Sequence, residues 1–201
     1  MLRLTTALLL LSPAIASAQC LTAESLDSGI TVEYGNGNTS YIQRQPDGSL
    51  QDSYIEADSY YEKTIFFESF NGVFETRRFV HEKSTWQGRN ELLLSYDFPA
   101  ETLIDFTPGS RGNGTQTEND PQYGSTSATF GWAAYEGAPL VIGDCTYNTV
   151  RVFTTSLSIR YGSFDIREIT YLPELGFGLQ VGNSYFAFSP DNTIILDMSA
   201  S

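Results

Sequence analysis

The sequence predicts one all-β domain of roughly ten to twelve antiparallel strands, folded as a curved open barrel or a sandwich. Apolar and polar residues alternate over many short stretches, turn-forming residues separate these stretches, and no helical period of 3.6 residues is sustained. Twelve tyrosines and thirteen phenylalanines favour a packed chain over a disordered one. We expect this single domain to span 19–201, a length that can bury a sizeable core.

The first eighteen residues predict a cleaved signal peptide. Arg3 gives a positive start, 4–15 are mainly apolar, and 16–18 are small residues of the kind that a signal peptidase cuts after. This apolar stretch is shorter than the about 20 residues that span a bilayer, and no later stretch approaches that length. The mature chain is therefore predicted to begin at Gln19, to lack a transmembrane segment and to be periplasmic or secreted.

Acidic side chains outnumber basic ones by 24 to 11, which gives a formal net charge of −13. Such a surface repels nucleic acid and anionic lipid headgroups, so neither is expected as a partner. It could attract cations or basic partners, although acidity usually serves solubility.

The first half of the chain predicts consecutive hairpins. Glycine and asparagine at 35–38 tolerate the positive φ of a tight turn, and Asn71-Gly72 is the strongest short hairpin signal in the sequence. A short helical turn is expected over 21–28. The predicted strands of this half span 30–34, 40–44, 50–55, 64–70 and 73–81.

The second half predicts a long flexible loop followed by a β-meander. Residues 107–127 are dense in Gly, Asn, Thr, Ser and Pro, and a loop of this length is mobile or functional. Within 153–161, four odd positions are apolar. We therefore expect Phe153 and Leu157, with Ile159 and Tyr161, on the dry face and Thr154 and Ser158 on the wet face. The predicted strands of this half span 91–98, 102–106, 128–135, 153–161, 164–172, 177–181, 185–188 and 193–196.

Two cysteines in an exported chain most economically form one disulfide, here Cys20–Cys145. Two free thiols are the first alternative. A lipid anchor on Cys20 is the second, although lipoprotein signals place a small residue before the cysteine and Gln19 stands there. A catalytic cysteine has little support, because the one histidine is its only available partner.

Two parts of the meander resemble uncharacterised bacterial periplasmic antiparallel β proteins. Residues 141–152 are similar to a strand–turn–strand segment of those proteins, with Tyr147 where the pattern usually has phenylalanine. Residues 171–176, YLPELG, are similar to a later turn built on tyrosine, proline and glycine. The resemblance implies a curved sheet in the cell envelope, distantly similar to the open-barrel lipoprotein carriers of the LolA/LolB type. It implies no catalytic residue.

The sequence assigns no catalytic residue, metal or cofactor. His81 is the only histidine, no Gly-x-Ser-x-Gly elbow is present, and one histidine with two distant cysteines cannot build a zinc site. Glu118, Asn119 and Asp120 offer oxygen ligands without EF-hand spacing, so a solvated acidic loop is favoured over a calcium site. A glycosidase pair cannot be selected from 24 carboxylates.

Aromatic residues remain as the main functional signal. They stand on both faces of the predicted hairpins, for example at Tyr54, Phe66 and Phe67, which favours two-sided burial in a sandwich over a ligand pocket in an open barrel. We expect an exported, non-enzymatic β domain that binds an apolar ligand or a cell-envelope partner. The alternatives are an envelope-assembly or surface interaction protein acting through an exposed sheet edge, and a carboxylate-dependent hydrolase. The sequence does not predict the oligomeric state.

Overall fold

The computed structural model describes residues 20–57, 63–82, 91–102, 106–158, 162–184 and 194–201. This part of the chain contains fourteen β-strands, one helical turn and one 3₁₀ turn, at Ser25–Ser28 (α1) and Ala100–Thr102. The strands are β1 (Ile30–Tyr34), β2 (Thr39–Arg44), β3 (Leu50–Ile55), β4 (Lys63–Phe70), β5 (Phe74–Glu82), β6 (Glu91–Tyr96), β7 (Arg111–Asp120), β8 (Gly124–Glu136), β9 (Leu140–Ile142), β10 (Cys145–Tyr147), β11 (Val150–Ser158), β12 (Ser163–Leu172), β13 (Phe177–Ser184) and β14 (Ile195–Ala200).

Twelve strands form one sheet in the order β13-β12-β11-β8-β7-β6-β5-β4-β3-β2-β1-β14, and β9 and β10 form a separate two-stranded ribbon. Every neighbouring pair is antiparallel, and short turns connect several of the pairs that are consecutive in the chain, such as β2 and β3. The edge strands β13 and β14 are not paired with each other within the described residues, so the sheet is an open barrel. The predicted all-β antiparallel class is confirmed, with one curved sheet in place of a sandwich.

The sheet curls because strands near its two ends share one core. Ile30 and Val32 of β1 belong to the same buried cluster as Phe177 and Leu179 of β13. A second cluster surrounds Phe74, which is fully buried. Its ring lies within 6.4 Å, centroid to centroid, of five other aromatic rings, those of Tyr96, Phe98, Phe106, Phe130 and Trp132.

The predicted flexible loop at 107–127 is wrong, because most of it forms β7 and the start of β8. Two glycines that suggested a loop instead make room for aromatic rings. A Cβ at Gly112 would lie 2.5 Å from Nε1 of Trp132, and a Cβ at Gly114 would lie 2.6 Å from the ring of Phe98. Glycine within a strand often marks such a close approach, and sequence periodicity does not distinguish it from a turn.

Other predicted strands lie partly or wholly outside the described residues, including 159–161 at the end of the strand expected at 153–161. The strand expected at 102–106 begins in the 3₁₀ turn, Phe106 is buried without strand pairing, and 103–105 are outside the described part. The strand expected at 185–188 lies outside it entirely, as does the predicted signal peptide. The last expected strand is displaced and corresponds to β14.

The predicted wet and dry faces of β11 are reversed. Val152, Thr154 and Ser158 are buried, whereas Leu157 is 43% exposed on the opposite face. The reason is that the interior of the barrel is polar at this end. Ser156, on the inner face, donates a hydrogen bond to the side-chain oxygen of Gln116 over 3.1 Å.

The predicted disulfide is confirmed, since Cys20 and Cys145 are bonded. It attaches the beginning of the described chain to β10, where the backbone N–H of Leu21 also donates to the Tyr147 hydroxyl over 2.9 Å. The bond uses the Cys20 sulfur that a thioether-linked lipid would need. In the described part of the chain, no helix has the length and apolar character needed to cross a bilayer.

Candidate functional site

The candidate site is a cavity of about 600 Å³ inside the curved sheet. Strands β1 to β5 form one wall, and β12 and β13 form the facing wall. Much of the lining is apolar, contributed by Tyr34, Ile42, Leu50, Ile65, Phe67 and Ile169. The charged side chains Asp52, Glu75, Arg78 and Arg167 also line it, so the cavity has two chemically different parts.

A second depression of similar volume, about 590 Å³, lies on β7, β8 and β11. Gly131, Tyr135 and Phe153 contribute to it, and Tyr135 is 54% exposed. It is shallow and contains no buried charged cluster among the described residues. We therefore assign the candidate site to the interior cavity, which is more enclosed and carries the perturbed ionisable groups.

Glu75 is the centre of a buried ion cluster. Its Oε2 atom accepts hydrogen bonds from Arg78 at 2.5 Å and from Arg167 at 2.6 Å. Arg167 also donates through Nε to Asp165 at 2.9 Å. Burial alone would raise the pKa of Glu75, but the charges of Arg167 and Arg78 outweigh it and hold that pKa below its ordinary value.

A β-bulge brings Glu75 and Arg78 to the same face of β5. Residues three apart lie on opposite faces of a regular strand. Here the register shifts, so that Arg77 pairs with Glu68 while Glu75 pairs with Ser69. The bulge re-aims Glu75 into the interior, where Arg167 arrives from β12 on the facing wall.

The ion cluster continues into a line of uncharged polar groups. The Tyr96 hydroxyl donates to the backbone oxygen of Glu75 at 2.9 Å, and the Gln116 amide donates to that hydroxyl at 3.2 Å. Burial raises the pKa of Tyr96. These contacts order the polar end of the interior across β5, β6 and β7.

Five buried side-chain atoms have no hydrogen-bond partner among the described residues. Three belong to residues that line the cavity, namely Glu75 Oε1, Arg78 Nε and Asp52 Oδ1, and the other two are Asp165 Oδ1 and Ser158 Oγ. Because such atoms carry a desolvation cost, a group of them beside a cavity indicates a place where a polar ligand could complete the hydrogen bonding.

Asp52 stands apart from the ion cluster. It lies on β3 opposite Ile42 and Phe67, so apolar side chains flank it on both neighbouring strands. Burial raises its pKa to about 7, and hydrogen bonding by Ser40 opposes this rise only in part. In the described part of the chain no ion pair involves Asp52, whereas the cavity-lining Glu56 pairs with Lys63 at 3.2 Å.

The candidates that the sequence singled out lie elsewhere. His81 is exposed near the end of β5, opposite Thr64. Glu118, Asn119 and Asp120 belong to β7 and not to a loop, and no group of three potential metal ligands is found among the described residues. Glu118 is half-buried, and burial raises its pKa.

The aromatic residues divide between the two faces of the sheet. Tyr54 and Phe67 line the cavity, whereas Phe66 and Phe79 stack on each other with ring centroids 4.5 Å apart. Arg77 covers Phe79 on that face, at 5.3 Å from its centroid. The predicted two-sided burial in a sandwich is therefore wrong, because one sheet leaves the second face half-exposed.

No family model and no curated protein matches this chain. Among solved structures, it is similar to the crystal structure of the hypothetical lipoprotein YmcC from Escherichia coli (K12), with a TM-score of 0.42 and 14% sequence identity. The similarity covers 79% of each chain. The predicted likeness to carriers of the LolA/LolB type is not confirmed.

Proposed function

We propose that this chain is an exported, non-enzymatic binding protein that holds a small amphiphilic ligand in the interior cavity. The observation that carries the proposal is the cavity itself, in which an apolar wall meets buried charged groups with unpartnered atoms. Its volume lies within the range of small-molecule sites, roughly 300–1,000 Å³. Because the lining is amphiphilic, we propose an amphiphilic ligand instead of the purely apolar ligand that the aromatic hairpins indicated.

Export to the periplasm or beyond is part of this proposal. A disulfide persists in an oxidising compartment, and Cys20–Cys145 joins distant parts of the chain. The leader-like first eighteen residues support the same compartment. A carrier of the LolA/LolB type, as the resemblance implies, would also act there on an envelope ligand.

The direct test is native mass spectrometry of the protein purified from an oxidising compartment, followed by titration with the neutral apolar probe N-phenyl-1-naphthylamine. The proposal expects a bound mass of several hundred daltons or saturable binding of the probe. Ile65→Trp should fill the cavity and weaken probe binding at least tenfold, because Ile65 lines it. Phe66→Trp, one residue away on the other face, is the matched control and should bind like the wild type. A wild type that shows neither a bound mass nor saturable binding of the probe would refute the proposal.

A second candidate function is carboxylate-dependent hydrolysis. The cavity holds two carboxyl groups with oppositely shifted pKa values, raised for Asp52 and lowered for Glu75, as an acid and its ionised partner require. The test is turnover of nitrophenyl glycosides and esters between pH 5 and 8. Hydrolysis lost in Asp52→Asn but kept in Asp144→Asn, an exposed turn residue, would favour this function. No turnover would exclude it for these substrate classes.

A further inference from the structure

We propose that Asp52 binds a primary ammonium group, so that the ligand of the cavity is an alkylammonium amphiphile. This inference rests on the proposed binding function and specifies the chemistry of its ligand. Three features of the described residues carry it: the balance of charge in the cavity, the unpartnered oxygen of Asp52, and the rings beside it.

The arginines of the cavity are already neutralised. Arg78 and Arg167 share Glu75, and Arg167 also binds Asp165, so two guanidinium groups face two carboxylates. Glu56 is likewise matched by Lys63. An anionic ligand would therefore compete with established ion pairs, whereas the carboxylate of Asp52 has no countercharge among the described residues.

The unpartnered carboxylate oxygen of Asp52 favours a ligand that donates a hydrogen bond. Its Oδ1 atom is buried and has no hydrogen-bond partner in the described part of the chain, and its residue lines the cavity. A primary ammonium group supplies both the missing positive charge and up to three N–H donors. A quaternary ammonium would supply the charge only. A metal ion would lack ligands, because no set of three potential metal ligands is found among the described residues.

The rings of Tyr34 and Tyr54 are also suited to binding an ammonium group. Their centroids are 6.0 Å apart, and both side chains line the cavity with Asp52. Burial raises the pKa of each phenol, and the nearby negative charge of Asp52 acts in the same direction. Aromatic faces attract ammonium groups once these leave water.

The apolar lining indicates what carries the ammonium group. Ile42 and Phe67 lie opposite Asp52 on the two neighbouring strands, and Leu50 and Ile65 line the same wall. An alkyl chain would bury its surface there while its ammonium terminus reaches Asp52. The amine could be free or could be the aminoethyl head group of a lipid, and both share the chemistry that Asp52 would recognise.

The experiment measures displacement of N-phenyl-1-naphthylamine at pH 8 by three matched probes, dodecylamine, dodecanol and dodecanoate. The wild type should bind dodecylamine roughly tenfold to a hundredfold more tightly than dodecanol. Asp52→Asn should remove this preference and keep dodecanol binding. Asp144→Asn removes one exposed charge from a turn that does not line the cavity and should behave like the wild type, which controls for attraction by the acidic surface.

The other possible results separate the ammonium assignment from the binding function. Equal binding of dodecylamine and dodecanol, a preference for dodecanoate, or an ammonium preference that survives Asp52→Asn would overturn the ammonium assignment and leave the binding function intact. Failure of all probes, the neutral one included, would overturn the binding function instead. Binding of lysophosphatidylethanolamine then distinguishes the two sources of the amine. Asp52-dependent binding of this lipid supports a lipid head group, whereas Asp52-dependent binding of dodecylamine alone supports a free amine.

Discussion

The backbone N–H of Gly178 donates a hydrogen bond to the carbonyl oxygen of Asn71 over 2.9 Å. Gly178 lies on the edge strand β13, whereas Asn71 lies in the turn between β4 and β5, in the middle of the sheet order. This contact closes the curl of the sheet and places the two walls of the cavity face to face. The ion pair between Glu75 and Arg167 depends on the same approach.

We predict that Gly72→Ala strongly destabilises the protein. Gly72 has a φ of +68°, and a Cβ there would lie 2.2 Å from the carbonyl oxygen of Gly178, so the turn could no longer reach β13. A loss of about 2–4 kcal/mol in the free energy of unfolding by urea is expected. The control is Gly48→Ala, whose φ of +86° is also positive but whose Cβ would meet nothing within 4 Å. It should cost about 1 kcal/mol, and equal losses would show that the Gly72 contact is unimportant.

Removing the charge of buried Glu75 should cost about 3–5 kcal/mol in Glu75→Gln, because two partly buried guanidinium groups lose their shared partner. Because the folded-state pKa of Glu75 is lowered from 4.5, its stabilisation is present above that pH and is lost as the pH falls through the folded-state value. The variant should therefore lose less stability on acidification than the wild type does.

The control for Glu75 is Glu56→Gln, which breaks the more exposed pair with Lys63. Urea unfolding should show a loss of about 1 kcal/mol or less for this variant. Similar losses in both variants would contradict a central role for the Glu75 cluster.

Asp52→Asn should stabilise the protein at pH 8. The folded-state pKa of about 7 exceeds the ordinary value of 3.8, so ionised Asp52 destabilises the fold increasingly as the pH rises from about 4 to about 7. The asparagine variant lacks this penalty, and its advantage should reach about 2–4 kcal/mol above pH 7 and shrink toward pH 4. Unfolding curves at several pH values measure it. An advantage independent of pH would contradict the raised pKa.

Loss of the disulfide in the double variant Cys20→Ala, Cys145→Ala should lower stability by about 4–5 kcal/mol on the chain-entropy model. The bond closes a loop between residues 125 positions apart. Tyr147→Phe removes only the neighbouring hydrogen bond from Leu21 and should cost about 1 kcal/mol. Thermal unfolding with and without a reducing agent compares them, and a wild type insensitive to reduction would refute a stabilising bond.

The reversed faces of β11 can be tested by one pair of variants. Val152→Ser places a hydroxyl in the aromatic core and should cost about 2–4 kcal/mol, because Val152 is fully buried. Leu157→Ser acts on an exposed position and should change the free energy of unfolding by less than about 1 kcal/mol. A larger loss in Leu157→Ser than in Val152→Ser would support the faces expected from periodicity.

Most of the candidate site was not predictable from local patterns. Glu75 and Arg78 stand three residues apart, which places them on opposite faces of a regular strand, and a bulge cannot be recognised from residue types alone. Asp52 is one of 24 acidic residues. Its position between Leu50 and Tyr54 in an alternating strand was the only signal, since it places a carboxylate on the apolar face.

The amino-acid sequence was sufficient for the all-β class, for several strands of the first half and for the Cys20–Cys145 pair. Alternation and turn residues act over a few positions, and two cysteines allow one intramolecular pairing. The inner face of β11, the strand at Arg111–Asp120 and the cavity depend on the curl of the sheet. Whether an interior position is polar or apolar is set by the side chains that arrive from distant strands, such as Arg167 beside Glu75. Those contacts form only when the sheet has curled.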